Sequence, residues 1–340
     1  MHKLREKDVM SSEKIKAIIF DEPNGPHVLK LGETEKPVPK ENELLVKVNA
    51  AGINRADTLQ RMGKYPPPEG ASKILGLEIA GTVEETGASV KKWKVGNKVF
   101  GLIPGGGYAE YAVINQDMAM TVPEGMSMTE AAAVPEVFLT AYQALIRYGK
   151  LKTNETALIH AGGSGVGTAG IQIAREIGAH VIITASEGKH KACFELGAEK
   201  AIDYKKEKFS EEVLKYTDGR GADVIVDFIA GPYFKPNIDC MNVDGRLIIL
   251  ASLGGGKVDE FDLRKILMKR LSIIGSTLRS RSLDYQIKLT QDFSSFALDK
   301  FKEKKLKPVI DSVFNWKDAA KAHEYMEANK NTGKIVLEID

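Results

Sequence analysis

The chain has 340 residues, enough at roughly 150 residues per domain for two domains with cores of their own. Lysine plus arginine is 48 against 46 for aspartate plus glutamate, a balance that leaves no electrostatic footprint for nucleic acid or an anionic membrane. Hydrophobic residues make up 43% and charged residues 28%, the texture of a globular chain, and no apolar run approaches the roughly 20 residues that cross a bilayer.

The first thirteen residues are polar and of mixed charge. They lack the apolar core of a signal peptide and contain Glu6, Asp8 and Glu13, acids that a transit peptide avoids, so they read as a short disordered extension. From Lys14 to about Pro123 short β-rich runs (15–20, 43–50, 79–84, 98–102) are interrupted often by Gly and Pro, which describes an all-β lobe. Ser127 and Thr129 then precede Glu130 and an Ala-rich run, predicting a helix through Leu145. From Glu155 the period changes. Strands at 156–161, 180–185, 200–204, 223–228, 246–251 and 272–276 alternate with helical stretches at 165–177, up to 196, and at 211–216. Alternation of this kind predicts an α/β fold, a doubly wound parallel sheet with helices on both faces. A helix near 318–329 and a strand at 334–339 close the chain, and that strand could return to the first lobe. The expected division is 1–136, 137–276 and 277–340, the last part rejoining the first. Two cysteines, Cys193 and Cys240, make no disulfide framework, which fits a reducing cytoplasm; both read as small packing residues in helices.

The most informative segment is 157–167, where a strand runs into Gly162-Gly163-Ser164-Gly165-Val166-Gly167 and then into a helix. Glycine permits the tight turn and close approach of backbone to a pyrophosphate. The helix N-terminus offers free N–H groups and a positive dipole end. Gly162 and Gly167 take the outer positions of the dinucleotide fingerprint, with Ser164 in place of the middle glycine. A hydrolase nucleophile elbow does not fit, because its second glycine would fall at Val166. At the end of the second strand, an acidic residue would bind ribose hydroxyls and a cation would take a 2′-phosphate. Ser186 and Lys189 suit the phosphate and Glu187 suits NAD; the charge count favours NADP, although these lysines could equally form a solvated face.

Several runs together resemble the quinone oxidoreductase branch of the medium-chain dehydrogenases/reductases. They are residues 51–57 (AGINRAD), 60–66 (QRMGKYP), 75–78 (LGLE), 104–111 (PGGGYAEY), 139–142 (LTAY), 160–167 and 331–336 (NTGKIV). Ser164, the run 203–206 (DYKK) and the run 325–331 (YMEANKN) are most similar to the p53-inducible quinone oxidoreductase group. The resemblance implies a GroES-like β-rich catalytic domain, a Rossmann cofactor domain and an active site in the cleft between them, with NADPH as cofactor and a quinone as acceptor. By position it puts Ser164, Gly165, Val166 and Gly167 at the pyrophosphate, Lys189 at the 2′-phosphate, Tyr204 on the adenosine end and Thr140 on the nicotinamide side. Asn331 and Lys334, in the matching C-terminal run, are expected at the cofactor. Leu253, in the glycine-rich loop that follows a parallel strand, is expected near the nicotinamide.

Where zinc-dependent relatives carry their first cysteine ligand this chain has Asn54, and where they carry Gly-His-Glu it has Gly76-Leu77-Glu78. No zinc site is therefore expected. A quinone takes hydride without Lewis-acid help because its product is aromatic, so a hydroxyl or amide donor is enough. Asn54 and Tyr65 are the candidates, with Asp57 and Arg61 as second choices that hold the loop together. Reduction of an activated C=C bond is the alternative activity, and a structural or RNA-binding role the alternative class. The resemblance also implies a homodimer built through the edge strand near 271–278, with a tetramer still open.

Overall fold

The computed structural model describes residues 13–340, so the expected N-terminal extension lies outside the described residues except for Glu13. Two large sheets organise the fold. The first has seven strands in the order Ile310–Asn315, Lys334–Glu338, Glu43–Ile53, Glu78–Thr86, Lys98–Leu102 and Ala119–Thr121, with Tyr111–Asn115 also paired to Glu43–Ile53. The closing strand runs antiparallel to Glu43–Ile53, with Leu337 opposite Ala51. A two-stranded ribbon, Lys14–Ile19 with Lys30–Glu35, stands beside it.

The second sheet is wholly parallel, in the order Lys200–Ile202, His180–Thr184, Thr156–Ile159, Ala222–Asp227, Met241–Ile249 and Ser272–Gly275. Numbered along the chain this is 3-2-1-4-5-6, the dinucleotide-binding order, in which ligands sit at the carboxyl ends of the strands where the order reverses. The central strands Thr156–Ile159 and Ala222–Asp227 are buried throughout, as parallel strands covered on both faces must be. That is why they read as continuous apolar runs rather than alternating ones.

Several elements differ from expectation. The helix predicted across 130–145 is broken. Met128–Ala132 stops before Pro135, which has no N–H to donate, and Pro135 then opens a second helix, Pro135–Tyr142, that continues as a π turn through Tyr148. The expected boundary at 137 thus falls inside a helix. Gly231–Cys240 is helical although it contains Pro232 and Pro236. A 20-residue helix, Leu283–Lys302, and the strand Ile310–Asn315 carry no prior signal. The long helix packs Phe293 and Phe301 against Phe138 of Pro135–Tyr142, ring centroids 6.3 and 5.1 Å apart. One hydrophobic core runs through both lobes as a result, holding the cleft walls in register. Both cysteines lie in helices, are buried, and have thiols pushed up by burial to about 11 and about 12.

Candidate active site

The strand Thr156–Ile159 delivers the chain into the glycine turn, which begins with Ala161 in a left-handed conformation (φ 50°). Such strain is held only where surrounding structure over-determines it, commonly at ligand clamps. The Ser164 hydroxyl accepts a hydrogen bond from the Gly167 N–H at 3.0 Å and so caps the helix Gly165–Ile177. This is why serine is at home in the middle fingerprint position. The N–H groups of Gly165 and Val166 find no partner among the described residues and face outward from the helix end. A Cβ on Gly167 would run into the carbonyl oxygens of Ala161 and Gly162, and one on Gly162 would meet Ile183 Cβ at 2.7 Å. The turn is thus a cradle that fits a pyrophosphate.

At the far end of the cradle, Ser186 follows the second parallel strand and Glu187 is exposed and paired to Lys206. Lys189 lays its stem along Gly163 and donates its ammonium protons to the carbonyls of Asn329 and Asn331, across the cleft. Burial lowers its pKa. Tyr204 is nearly half exposed and Leu253 more so. Thr140 is half-buried. Asn331 turns its amide onto the Gly333 carbonyl, and the Gly333 N–H donates to the Gly163 carbonyl at 2.9 Å. The C-terminal run and the glycine turn are therefore stitched together.

Lys334 departs from its expected place. Its stem passes Gly165, but the ammonium lies in the catalytic lobe, 3% exposed, where it donates to the Ile53 carbonyl (2.7 Å), Asn54 Oδ1 (2.7 Å) and Glu78 Oε1 (2.6 Å). All three of its protons are spent there, leaving none for a phosphate. Asn54 also donates from Nδ2 to Glu78 Oε1 at 2.8 Å, which leaves one amide proton. Glycine is required at position 52, because a Cβ there would strike the Glu78 carboxylate. The ammonium thus sits between the two positions, Asn54 and Glu78, that correspond to metal-site residues in zinc relatives. Among the described residues no His/Cys/Asp/Glu group is arranged to hold a metal ion.

Asp57 is fully buried behind this cluster. Its oxygens accept from the N–H groups of Asn54 (2.8 Å) and Gly76 (3.0 Å), the latter a residue at φ 99°. Burial outweighs these two donors and pushes the carboxyl up to about 6. Arg61, fully buried and paired with Glu327, meets His323 Nδ1, whose Nε2 meets the Tyr108 hydroxyl, each at 3.3 Å. Arginine can only donate, so His323 is neutral with its proton on Nε2, consistent with burial pushing its pKa down to about 3. Asp57 and Arg61 anchor the loop; they do not face the cleft.

Tyr65 is half-buried on the loop that follows the helix Arg55–Arg61, and the Arg279 guanidinium stacks over its ring at 5.4 Å. Arg279 donates from Nε and Nη2 to the Pro104 carbonyl, while its Nη1 is buried without a partner among the described residues. Glu136, the second residue of the helix Pro135–Tyr142, donates its N–H to Glu78 Oε2 at 2.8 Å. Burial and the neighbouring Glu78 charge push its carboxyl up to about 7. Neither Arg279 nor Glu136 was legible in the sequence: one follows an edge strand without a motif, and the other is hidden in an Ala-rich run.

A six-stranded dinucleotide-binding sheet, a mainly antiparallel β lobe and a polar cluster where they meet define a two-domain nucleotide-dependent oxidoreductase. Residues 40–124 match the alcohol dehydrogenase GroES-like domain family and residues 165–303 the zinc-binding dehydrogenase family. Human quinone oxidoreductase is 31% identical over 327 residues, 95% of this chain and 97% of that one. A mycobacterial protein solved in complex with NADPH is 27% identical with a TM-score of 0.85, covering 95% of this chain and 99% of that one. The CurK enoyl reductase is 28% identical with a TM-score of 0.84, covering 96% and 99%. The chain belongs to the medium-chain dehydrogenase/reductase superfamily, in its quinone oxidoreductase branch, and is an oxidoreductase with a pyridine-nucleotide site.

Proposed function

We propose that this enzyme transfers hydride from NADPH to a quinone, an ortho-quinone in particular, without zinc. The observation that carries the reading is the Lys334 ammonium between Asn54 and Glu78. A fixed cation already compensates Glu78 there, so a divalent ion has neither the room nor the uncompensated charge that would draw it in. The acceptor must then be one that takes hydride unaided by a Lewis acid, as a quinone does. Tyr65 and the unpartnered Nη1 of Arg279 supply donors for the developing oxyanion, and Asn54 keeps one amide proton for the same use. Asp57 positions the loop that carries them. The name of the human relative supports the acceptor class, and the NADPH complex of the mycobacterial neighbour supports the cofactor.

Lys189 favours NADPH over NADH, exchanging two carbonyl acceptors for a 2′-phosphate. Replacing it with alanine raises KM for NADPH about tenfold, the worth of one charge-assisted hydrogen bond, and leaves KM for NADH nearly unchanged. Among the described residues no helix is long and apolar enough to cross a membrane, and a cytoplasmic location is part of this reading. So is a homodimer through the edge strand Ser272–Gly275, where Ile273 is exposed, as are Leu267 and Met268 of the preceding helix.

The deciding experiment follows NADPH absorbance with chelator-treated enzyme, an ortho-quinone and an enone offered side by side, and NADH as control. Fast oxidation of NADPH with the quinone alone supports the reading. Turnover with the enone alone would move the activity to alkene reduction, the chemistry that the enoyl reductase neighbour's name describes.

A further inference from the structure

We propose that the Glu136 carboxyl is the proton donor of the reaction, delivering a proton to the acceptor after hydride has reached it; this rests on the quinone-reductase reading above. Glu136 starts the helix Pro135–Tyr142, and its N–H, bound to Glu78 Oε2, fixes it beside the Asn54–Glu78–Lys334 cluster. Its own carboxyl takes no hydrogen bond and no ion pair from any described residue, although it is half-buried. The nearest cations cannot quench it by contact. Lys334 has given its three protons to Ile53, Asn54 and Glu78, and Arg279, which holds Pro104 through Nε and Nη2, forms no ion pair with Glu136 although its Nη1 has no partner among the described residues. Glu136 is therefore half-buried, with the Glu78 carboxylate beside it and no partner for its own carboxyl among the described residues. A carboxyl in that setting keeps its proton near neutrality, in agreement with its raised pKa of about 7.

The other acids around the cleft do not serve. Asp57 is committed to the N–H groups of Asn54 and Gly76, behind the cluster. Glu78 is held by Lys334 and Asn54. The Tyr65 hydroxyl is raised further above its ordinary value by burial, so it binds an oxyanion better than it protonates one.

The balance closes without another reactant. The quinone gains two electrons and one hydrogen as hydride from the reduced nicotinamide nucleotide, and negative charge is left on one phenolic oxygen. The Glu136 O–H bond breaks, its electron pair stays on the carboxylate, and the new O–H bond makes the neutral hydroquinone. A phenol titrates near 10, so transfer from a group titrating near 7 is downhill by about three pH units. The carboxylate then recovers its proton from water entering as product leaves.

The test is the pH profile of kcat/KM for an ortho-quinone at saturating NADPH, from about pH 5.5 to about pH 9, in the wild type, Glu136→Gln and Glu136→Asp. The wild type should be level below about pH 7 and fall tenfold per pH unit above it. Glu136→Gln should lose the break and run roughly 100- to 1,000-fold slower. Glu136→Asp should keep a break at a reduced rate. Separately from activity, the infrared carbonyl stretch of a protonated carboxylic acid, seen in the wild type and absent from Glu136→Gln, should vanish with a midpoint near pH 7. A Gln variant that binds NADPH and keeps both rate and break would overturn the assignment of Glu136 while leaving the quinone reading intact. A wild type that binds NADPH but reduces no quinone would overturn both.

Discussion

Lys334 ties three segments of the catalytic lobe together through one buried ammonium. Its ammonium and the Glu78 carboxylate are 3% and 0% exposed, and buried pairs of this kind are worth little over an apolar packing but are expensive to break singly. Lys334→Met, which leaves Glu78 buried and uncompensated, should destabilise the enzyme by about 3–5 kcal/mol in urea unfolding, and adding Glu78→Gln should restore part of that. Glu136 has the opposite economy: it is a group whose ionisation the fold resists. Its folded value of about 7 lies above an unfolded value near 4.5, so its contribution to stability is whole below about pH 4.5 and is lost as pH rises through about 7. Measured against Glu136→Gln, the wild type should lose on the order of 1–3 kcal/mol between those limits. Neither residue could be assigned its place from sequence. Lys334 is in the run that marks the family, yet its three acceptors come from segments more than 250 residues away in the chain, a distance no local pattern encodes.

At the scale of elements, the segment most legible in sequence was also the most constrained. The strand, glycine turn and helix from Thr156 to Ile177 were located to within two residues, because each glycine answers a steric demand that a Cβ would violate. Gly167→Ala should push the turn off the carbonyls of Ala161 and Gly162, costing about 1–3 kcal/mol of stability. NADPH binding, followed by fluorescence titration, should weaken tenfold or more. The helix Gly231–Cys240 was missed for the opposite reason. Its prolines argue locally against a helix, but Pro232 occupies the first turn, and tertiary packing of Ile238 and Cys240 outweighs the interruption at Pro236. The long helix Leu283–Lys302 is amphipathic but bears a polar stretch without a recognised motif, and its call to order comes from Phe138 on a distant helix.

At the scale of the whole molecule, the parallel sheet and the β lobe were legible because period and turn chemistry alternate on a fixed scale, whereas the expected boundary between them falls inside the helix Pro135–Tyr142. The candidate site was legible only in part: Asn54 and Tyr65, expected there, flank the helix Arg55–Arg61, while Glu136 and Arg279 come from distant segments that carry no motif. The edge strand bears on assembly. Ile273→Asp, placed at its exposed midpoint, should convert the proposed dimer to monomer in sedimentation while leaving the fold intact by circular dichroism.

The pairing of Lys334–Glu338 with Glu43–Ile53 has a consequence for synthesis. The two partners of the Lys334–Ile53 contact are 281 residues apart, so at roughly 5–20 residues per second the early strand waits on the order of 15–60 s for its neighbour. Throughout that interval Glu78 has no lysine and one edge of the growing lobe is open. The parallel domain, whose strands follow one another closely, can finish before the lobe that precedes it. A nascent chain stalled before codon 334 should therefore display a protease-resistant second domain and a protease-sensitive first one, the reverse of the order in which they leave the ribosome.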